Sequence, residues 1–271
     1  MRATVPARAA LAGNPSDRDG GAVLALTLPQ LAATVTATDG PPDPGEPALL
    51  RAARARFAGS ARPALHVTTT IPREVGLAGS SAIVVAALRA LAAWHETELE
   101  PLALARMALE AENAELGIAA GPQDRVAQAV GGLVFMDFSG ADWHAERLEV
   151  ALPPLYVAWL TDAAAPSGDW HARLLPDAAQ MRALAGLARS ARDALIEGDH
   201  GRFAACVDGS LDARARMATL DPRHVALAEA ARGLGACANF TGSGGAIVGV
   251  LPDEAFPDRL RAAARCEVMT L

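Results

Sequence analysis

The sequence predicts an α+β protein of two parts, on three observations. A glycine- and serine-rich loop, residues 76–81, leads into an apolar, alanine-rich run that is typical of a buried helix. Short segments rich in Val, Leu and Thr occur between longer helical segments. The composition changes near residues 148–154. We therefore predict an N-terminal domain of residues 1–152 and a C-terminal domain of residues 153–271.

The predicted N-terminal domain begins with a dense turn over residues 13–21. Val, Leu and Thr content predicts the strands, and apolar residues at helical spacing predict the helices. In chain order we expect strands over 22–28 and 31–38, a helix over 47–61, a strand over 65–70, helices from 82, over 101–116 and over 125–130, and a strand over 133–138.

The predicted C-terminal domain contains longer helices and a second glycine-rich loop that leads into a strand. In chain order we expect a strand over 155–162, a loop over 163–170, helices over 177–197, 200–219 and 222–234, a loop and strand over 240–250, a helix over 257–265 and a closing strand over 266–271.

Charge and composition exclude several classes of function. The formal net charge is -7 and the chain contains no lysine, so each of its basic residues is an arginine. An acidic chain without a basic run is unsuited to nucleic acid or to an anionic membrane surface. A Walker A loop is excluded because that motif requires a lysine. Any phosphate must therefore be held by backbone groups, hydroxyls, a metal or arginine.

The chain has three scattered cysteines without metal-ligand spacing, which predicts free thiols in a reducing compartment. The histidines are also dispersed, so we expect no zinc site. A proline and an arginine interrupt the first ten residues, which therefore do not resemble a signal peptide. The longest apolar run is too short to cross a bilayer. These features predict a soluble cytoplasmic protein.

The glycine-rich loop before the central helix predicts an anion-binding site. Gly76 and Gly79 lack a Cβ, so the backbone can approach an anion closely. Ser80 or Ser81 is suited to cap the helix that follows. The first N–H groups of a helix have no internal partners, and with the helix dipole they attract anions such as phosphate. An ordinary loop before a core helix is the alternative.

Glycine-rich turns at residues 13–21, 76–81 and 241–245 are joined by the segment Gly-Pro-Gln-Asp-Arg at residues 121–125. Their order and type resemble the three motifs of the GHMP kinases, the superfamily of galactokinase, homoserine kinase and mevalonate kinase. The resemblance extends over nearly the whole chain, and residues 72–82 are its most specific part.

Within the superfamily, the chain resembles the glucuronokinases over residues 8–17, 71–84, 121–138 and 239–246. Bacterial heptose kinases share the Gln-Asp turn. The resemblance implies a two-domain GHMP-kinase-like fold, with a ribosomal-S5-domain-2-like N-terminal half and a ferredoxin-like C-terminal half. It also implies that a nucleotide binds in the cleft.

By the same resemblance, Asp124 matches the family's catalytic aspartate, on a turn just before a helix, and Arg8 matches the cation near the transferring phosphate. Phosphoryl transfer needs positioning, charge neutralisation and a carboxylate that orients or deprotonates the attacking hydroxyl. A guanidinium can bind phosphate oxygens in a forked geometry. The alternative is that Asp124 caps a helix and that Arg8 is a surface charge.

Ser81 matches the family's metal-binding hydroxyl, and Glu112 matches the helix glutamate that completes a Mg²⁺ site. Magnesium prefers hard oxygen ligands of this kind. Glu110 and Glu115 are close in the sequence, and the register of the helix decides which glutamate takes the role.

The resemblance also assigns residues to the phosphates of ATP and to the acceptor. The phosphates are expected at Gly76, Leu77, Ala78, Gly79, Ser80, Ser81 and Ala82. The acceptor is expected at Asp17, Arg125, Ser167, His171, Thr241, Gly242, Ser243 and Gly244. Arg125 is the first candidate to pair with a substrate carboxylate, followed by Arg18, Arg73 and Arg173. His171 is equally compatible with an ordinary surface histidine.

The implied activity is that of an ATP- and Mg²⁺-dependent kinase acting on the anomeric hydroxyl of a sugar acid, with D-glucuronate as the expected acceptor. The alternatives are another acceptor (a heptose, a galactose-like sugar or an isoprenoid alcohol), a non-catalytic nucleotide-binding regulator, and an RNA-binding role by analogy of fold. The acidic net charge argues against RNA. We expect no nucleic-acid or membrane partner, and the oligomeric state stays open.

Overall fold

The computed structural model describes residues 1–57, 63–117, 120–161 and 177–271. Within these residues the chain forms two β-sheets and eight α-helices. The predicted α+β class is confirmed. No helix in the described ranges is both long and apolar enough to span a bilayer.

The first sheet has the strand order β1-β2-β4-β5, with β3 paired to β2, and the second has the order β7-β8-β6-β9. The strands are β1 Arg2–Ala12, β2 Ala22–Thr38, β3 Ala64–Thr69, β4 Leu133–Asp137, β5 His144–Arg147, β6 Leu155–Leu160, β7 Asn239–Phe240, β8 Ala246–Val250 and β9 Cys266–Thr270. The strands β1 and β5 have no counterpart in the sequence-based prediction.

The helices follow the predicted order, with ends that differ by a few residues. They are α1 Ala48–Arg56, α2 Gly79–Trp94, α3 Pro101–Glu110, α4 Gln123–Val130, α5 Ala178–Glu197, α6 His200–Met217, α7 Pro222–Gly233 and α8 Phe256–Ala263. A 3₁₀ turn, Ser16–Asp19, follows β1, and a π-helical segment, Ala111–Glu115, continues α3.

The described chain divides into two compact units, each assembled from separate segments. Unit 1 contains Met1–Arg8, Thr27–Pro72 and Ala78–Gly132. Unit 2 contains Ala9–Leu26, Arg73–Leu77 and Leu133–Leu271. The division of the chain at residue 152 that the sequence suggests stays a prediction.

The long strand β2 replaces the two strands that the sequence predicts on either side of Pro29. Residues 22–26 of β2 pair with β4, and residues 33–38 pair with β3. Pro29 lies between these two pairings, where its missing N–H removes no hydrogen bond of either ladder. The strand therefore continues through the proline instead of breaking at it.

Helix α2 forms the core of unit 1. Most of its side chains are fully buried, which explains the apolar, alanine-rich sequence around the whole helix. Helix α1 packs against it, as do α3 and α4. In unit 2 an apolar cluster is built around Tyr156 and Phe256, whose ring centroids are 4.6 Å apart.

Candidate active site

Helix α2 begins earlier than predicted, and the residue at its N-cap position has no hydroxyl group. Its N-cap is Ala78, in the left-handed region at φ 60°, and no side chain caps the helix. Ser80 and Ser81 lie in the first turn, so the prediction that one of them is the N-cap is wrong. The Ser81 hydroxyl donates instead to Ala78 O, over 3.1 Å.

This start leaves the first backbone N–H groups of α2 without a side-chain cap. Gly79 and Ser80 are accessible at the surface of unit 1, whereas Ser81 is buried. An uncapped helix N-terminus presents N–H donors and the positive end of the helix dipole, which is the arrangement that binds a phosphate. The local geometry is therefore suited to the predicted anion.

Arg8 and Asp124 form an ion pair in unit 1. Arg8, on β1, is 2% exposed, and the Asp124 side chain is 21% exposed. The sequence suggested that Asp124 lies on a turn before a helix, but in the structure it lies in the first turn of α4. A buried guanidinium beside a partly accessible carboxylate can neutralise developing negative charge and hold a hydroxyl-orienting group in place. Neither residue is a plain surface charge.

The π-helical segment separates the three neighbouring glutamates. Glu112 is fully buried. Glu110 and Glu115 are exposed and form ion pairs with Arg56. Its Nη1 lies 3.5 Å from Glu110 Oε2, and its Nη2 lies 3.0 Å from Glu115 Oε1. Among the three, Glu112 is therefore the residue whose carboxylate points into unit 1. π-Helical insertions of this kind are frequent at functional sites.

Arg125 pairs with the buried Glu112. Its Nε donates to Glu112 Oε2 over 2.6 Å, and its Nη1 donates to Gly121 O over 2.8 Å. Arg125 Nη1 also lies 3.8 Å from Asp124 Oδ2. The guanidinium is 4% exposed. The structure therefore places Arg125 between the two carboxylates, and its binding of a substrate carboxylate stays a prediction.

Glu112 retains one oxygen that could serve a metal ion. Among the residues that the structure describes, none hydrogen-bonds to its buried Oε1 atom. A buried carboxylate oxygen without a donor is a suitable ligand for a hard cation. The described residues contain no group of three or more His, Cys, Asp or Glu side chains that could hold a metal. Any magnesium here would therefore need hydroxyl, water or phosphate oxygens as further ligands.

Gln128 joins the elements that carry these residues. It lies one turn after Asp124 on α4 and is 1% exposed. Its Nε2 donates to Pro6 O on β1 over 3.1 Å and to Ala78 O over 2.9 Å. These two hydrogen bonds place the Arg8–Asp124 pair close to the N-terminus of α2. The sequence analysis did not single out Gln128, although its i+4 spacing from Asp124 is a signal that could have identified it.

In unit 2, Gly76 contacts the third glycine-rich loop, residues 241–245. Thr241 Oγ1 donates to Gly76 O over 3.0 Å. A Cβ on Gly76 would lie 2.8 Å from Gly244 O, and one on Gly242 would lie 2.4 Å from Gly76 O. Gly76 therefore permits close packing between two loops of unit 2. Its contact with a phosphate, like that of Leu77, stays a prediction.

Two buried residues that the sequence analysis missed support the third loop. Arg214, which is fully buried, donates from Nη2 to Gly242 O over 2.7 Å and lies over the Phe240 ring at 5.4 Å. His224 is 7% exposed, and a Cβ on Gly244 would lie 2.4 Å from its Nδ1. Because the chain is rich in arginine, the sequence does not indicate which arginine is buried.

The remaining predicted acceptor residues have separate positions. Asp17, in the 3₁₀ turn of unit 2, is 4% exposed, and Arg18 beside it is exposed. Arg73 is also exposed, and Ser243 is half-buried in the third loop. Ser167 and His171, together with Arg173, lie outside the described residues.

Comparison with known proteins finds a family match in the N-terminal part of the chain. Residues 48–132 match the family model described as GHMP kinases N terminal domain. This part of the chain is therefore similar to the N-terminal domain of the GHMP kinases. The matched range covers α2, the π-helical segment and α4, and so includes Ser81, Glu112 and Asp124.

Two relatives of the chain are named as kinases of different sugars. The chain is 36% identical to Glucuronokinase 1 of Arabidopsis thaliana over 211 residues, which cover 70% of this chain and 57% of that protein. It is 31% identical to D-glycero-alpha-D-manno-heptose 7-phosphate kinase of Campylobacter jejuni over 154 residues, 52% of this chain and 45% of that protein. The chain thus spans about half the length of these relatives.

A solved structure shows the fold. Streptococcus pneumoniae phosphomevalonate kinase, in complex with phosphomevalonate and AMPPNP, superimposes with a TM-score of 0.84, 16% identity and full coverage of both chains. This confirms the predicted GHMP-kinase fold.

Proposed function

We propose that this chain is an ATP- and Mg²⁺-dependent sugar kinase that transfers the γ-phosphate to the anomeric hydroxyl of a sugar acid, with D-glucuronate as the favoured acceptor. The observation that carries the proposal is the partly buried Arg8–Asp124 pair, linked through Gln128 to the uncapped N-terminus of α2. Cation, carboxylate and anion-binding helix end are the parts that phosphoryl transfer requires.

In the proposed reaction, Asp124 accepts a hydrogen bond from the acceptor hydroxyl and takes up its proton as the phosphoryl group is transferred. Arg8 stabilises negative charge on the transferring group and holds the Asp124 carboxylate in place. The N–H groups of Gly79, Ser80 and Ser81 bind phosphate oxygens. Because these groups are held by buried contacts, little reorganisation accompanies the transfer.

Magnesium would be held by Glu112 Oε1 and the Ser81 hydroxyl. Glu112 offers an unpaired oxygen among the described residues, and Ser81 would turn its hydroxyl from Ala78 O toward the ion. When bound, the ion neutralises phosphate charge and orients the β- and γ-phosphates. Arg125 keeps the other Glu112 oxygen occupied, which leaves one carboxylate oxygen for the metal.

A sugar acid is favoured as acceptor because Glucuronokinase 1 is the relative matched over the larger share of this chain. The carboxylate of a sugar acid would need a cationic partner, and a guanidinium can form two parallel hydrogen bonds with a carboxylate. Arg18 and Arg73 are exposed and so are accessible to a substrate, whereas Arg125 is engaged by Glu112. We therefore rank the two exposed arginines ahead of Arg125 for this role.

The test is ADP release by the purified chain with ATP and Mg²⁺ and, separately, glucuronate, galacturonate, galactose and a heptose 7-phosphate. A reaction without acceptor measures background hydrolysis. Loss of the reducing end of the sugar, measured in parallel, identifies anomeric phosphorylation. Turnover confined to the uronates, with stoichiometric loss of reducing sugar, would support the proposal. Turnover only with a neutral sugar would retain the kinase and refute the acceptor.

A heptose phosphate is the second candidate, because the Campylobacter jejuni relative carries that substrate in its name. Its phosphate group could use the same exposed arginines as a uronate carboxylate. Turnover with the heptose 7-phosphate and none with glucuronate would establish this alternative. Nucleotide binding without turnover of any acceptor would instead favour a regulatory protein.

A further inference from the structure

Gln128 uses both of its amide N–H donors on backbone carbonyls. One is Pro6 O at 3.1 Å and the other is Ala78 O at 2.9 Å. A primary amide nitrogen has two hydrogens, so both are satisfied. Turning the amide over would place its oxygen against two carbonyl oxygens, and this repulsion fixes the orientation of the side chain.

Three hydrogen-bond donors of unit 1 meet at the carbonyl oxygen of Ala78. It accepts hydrogen bonds from Ala82 N at 3.1 Å, from Ser81 Oγ at 3.1 Å and from Gln128 Nε2. Ala78 itself is in the left-handed region, which is unfavourable for a residue with a Cβ. The three hydrogen bonds hold this peptide and therefore the direction of the first N–H groups of α2.

The other hydrogen bond of Gln128 reaches the strand that carries Arg8. Pro6 precedes Arg8 by two residues on β1, and Gln128 follows Asp124 by four residues on α4. Positions four apart lie on the same face of a helix. Helix α4 therefore contacts β1 at two successive points, the Gln128–Pro6 hydrogen bond and the Asp124–Arg8 ion pair.

We propose that Gln128 is a positioning residue that fixes the Arg8–Asp124 pair relative to the phosphate-binding end of α2. The role rests on the proposed phosphoryl transfer, in which the hydroxyl-orienting carboxylate and the transferring phosphate must be held in register. Gln128 does not contact the reacting atoms. Removing its side-chain amide should shift α4 and β1 relative to the N-terminus of α2 without removing a charged group.

The test variant is Gln128→Met, which keeps the length of the side chain and removes both donors without burying a charge. Gln180→Met is the matched control, because Gln180 is a half-buried helical glutamine of unit 2. With the acceptor that the wild type uses, we expect kcat of Gln128→Met to fall by about 10- to 100-fold, the range that a displacement below 1 Å can produce. The KM values for ATP and acceptor and the melting temperature should remain close to those of the control.

Amide hydrogen exchange supplies a readout that does not depend on turnover. Loss of the hydrogen bond to Ala78 O should speed exchange in peptides covering the first turn of α2, including Ala82, and should leave peptides of unit 2 unchanged. If Gln128→Met is too unstable for kinetics, Gln128→Asn, which keeps a neutral amide but shortens the side chain by one methylene, is measured in the same way.

The outcomes separate the two proposals. A kcat within twofold of the control, in an active enzyme, would overturn the positioning role and leave the kinase intact. A wild type that turns over no acceptor would contradict the proposed function. In that case unchanged exchange at the start of α2 would overturn the Gln128 inference as well, whereas selective acceleration there would support its structural part alone.

Discussion

Replacing Arg125 by methionine should unfold the protein at a markedly lower denaturant concentration. The change leaves the buried Glu112 carboxylate without its cationic partner, and the other carboxylate oxygen has no donor among the described residues. Breaking a buried ion pair on one side costs about 3–5 kcal/mol. Both side chains are almost completely buried, so solvent screens the lost interaction little, and the full range applies.

The assay is urea unfolding followed by circular dichroism, with the free energy of unfolding taken from the midpoint and slope. For a chain of this size, the loss corresponds to a fall in melting temperature of about 6–20 °C. Arg147→Met is the control, because its pair with Glu149 is exposed and should contribute under about 1 kcal/mol.

A second substitution tests the electrostatic reason. Glu112→Gln, introduced into Arg125→Met, removes the unpaired charge and should restore most of the lost stability, giving a large coupling energy in the double-mutant cycle. If Arg125→Met were as stable as Arg147→Met, or if the second substitution restored nothing, Arg125 would not be the residue that holds the Glu112 carboxylate.

Three further predictions concern unit 2 and the free thiols. The chain's three cysteines are buried, and burial raises the pKa of Cys237 to about 11. Because the thiols are inaccessible, they should resist Ellman's reagent at pH 8 and react only in denaturant; rapid labelling of the native protein would contradict this. A hydrogen bond from Arg223 lowers the pKa of Asp221 to about 2. Stability from this lowered pKa is present above about pH 4 and is lost as the pH falls through 2. Asp221→Asn should therefore reduce the unfolding free energy at pH 6 by about 1 kcal/mol or less, and this effect should shrink as the pH falls through 2. Gly76→Ala should destabilise the protein by about 1–3 kcal/mol more than Gly117→Ala, because both glycines have positive φ but only Gly76 faces backbone within 3 Å; equal losses would show that the loop contact is unimportant.

The sequence allowed the order of elements and the position of helix α2 to be predicted. Alanine-rich periodicity and the loop glycines locate α2, and Gly117 marks the end of the segment that continues α3. The predicted start of α2 is wrong because a left-handed alanine at position 78 takes the N-cap position in place of the serine that local propensity favours. A hydrogen bond from Gln128, 50 residues away in the chain, helps to hold this alanine. Local rules do not contain such tertiary hydrogen bonds.

The sequence indicated candidate site residues, but it did not indicate the ion pairs and hydrogen bonds between them. Glu112 and Asp124 were assigned through family resemblance, yet the partner of Arg125 depends on a π-helical segment that changes the helical register after Glu110. No periodicity predicts that insertion. The supporting roles of Gln128 and Arg214 likewise depend on backbone carbonyls that are 50 and 28 residues away in the chain.

The measurement that tests the central claim most directly is ADP release with ATP, Mg²⁺ and glucuronate by the wild type and by Asp124→Asn, with nucleotide affinity and melting temperature recorded for both. We expect turnover by the wild type, a kcat lowered about 10²–10⁴-fold in the variant, and nucleotide affinity close to that of the wild type. Full activity of Asp124→Asn would contradict the role assigned to this carboxylate, and a wild type inactive with every sugar in the panel would contradict the kinase itself.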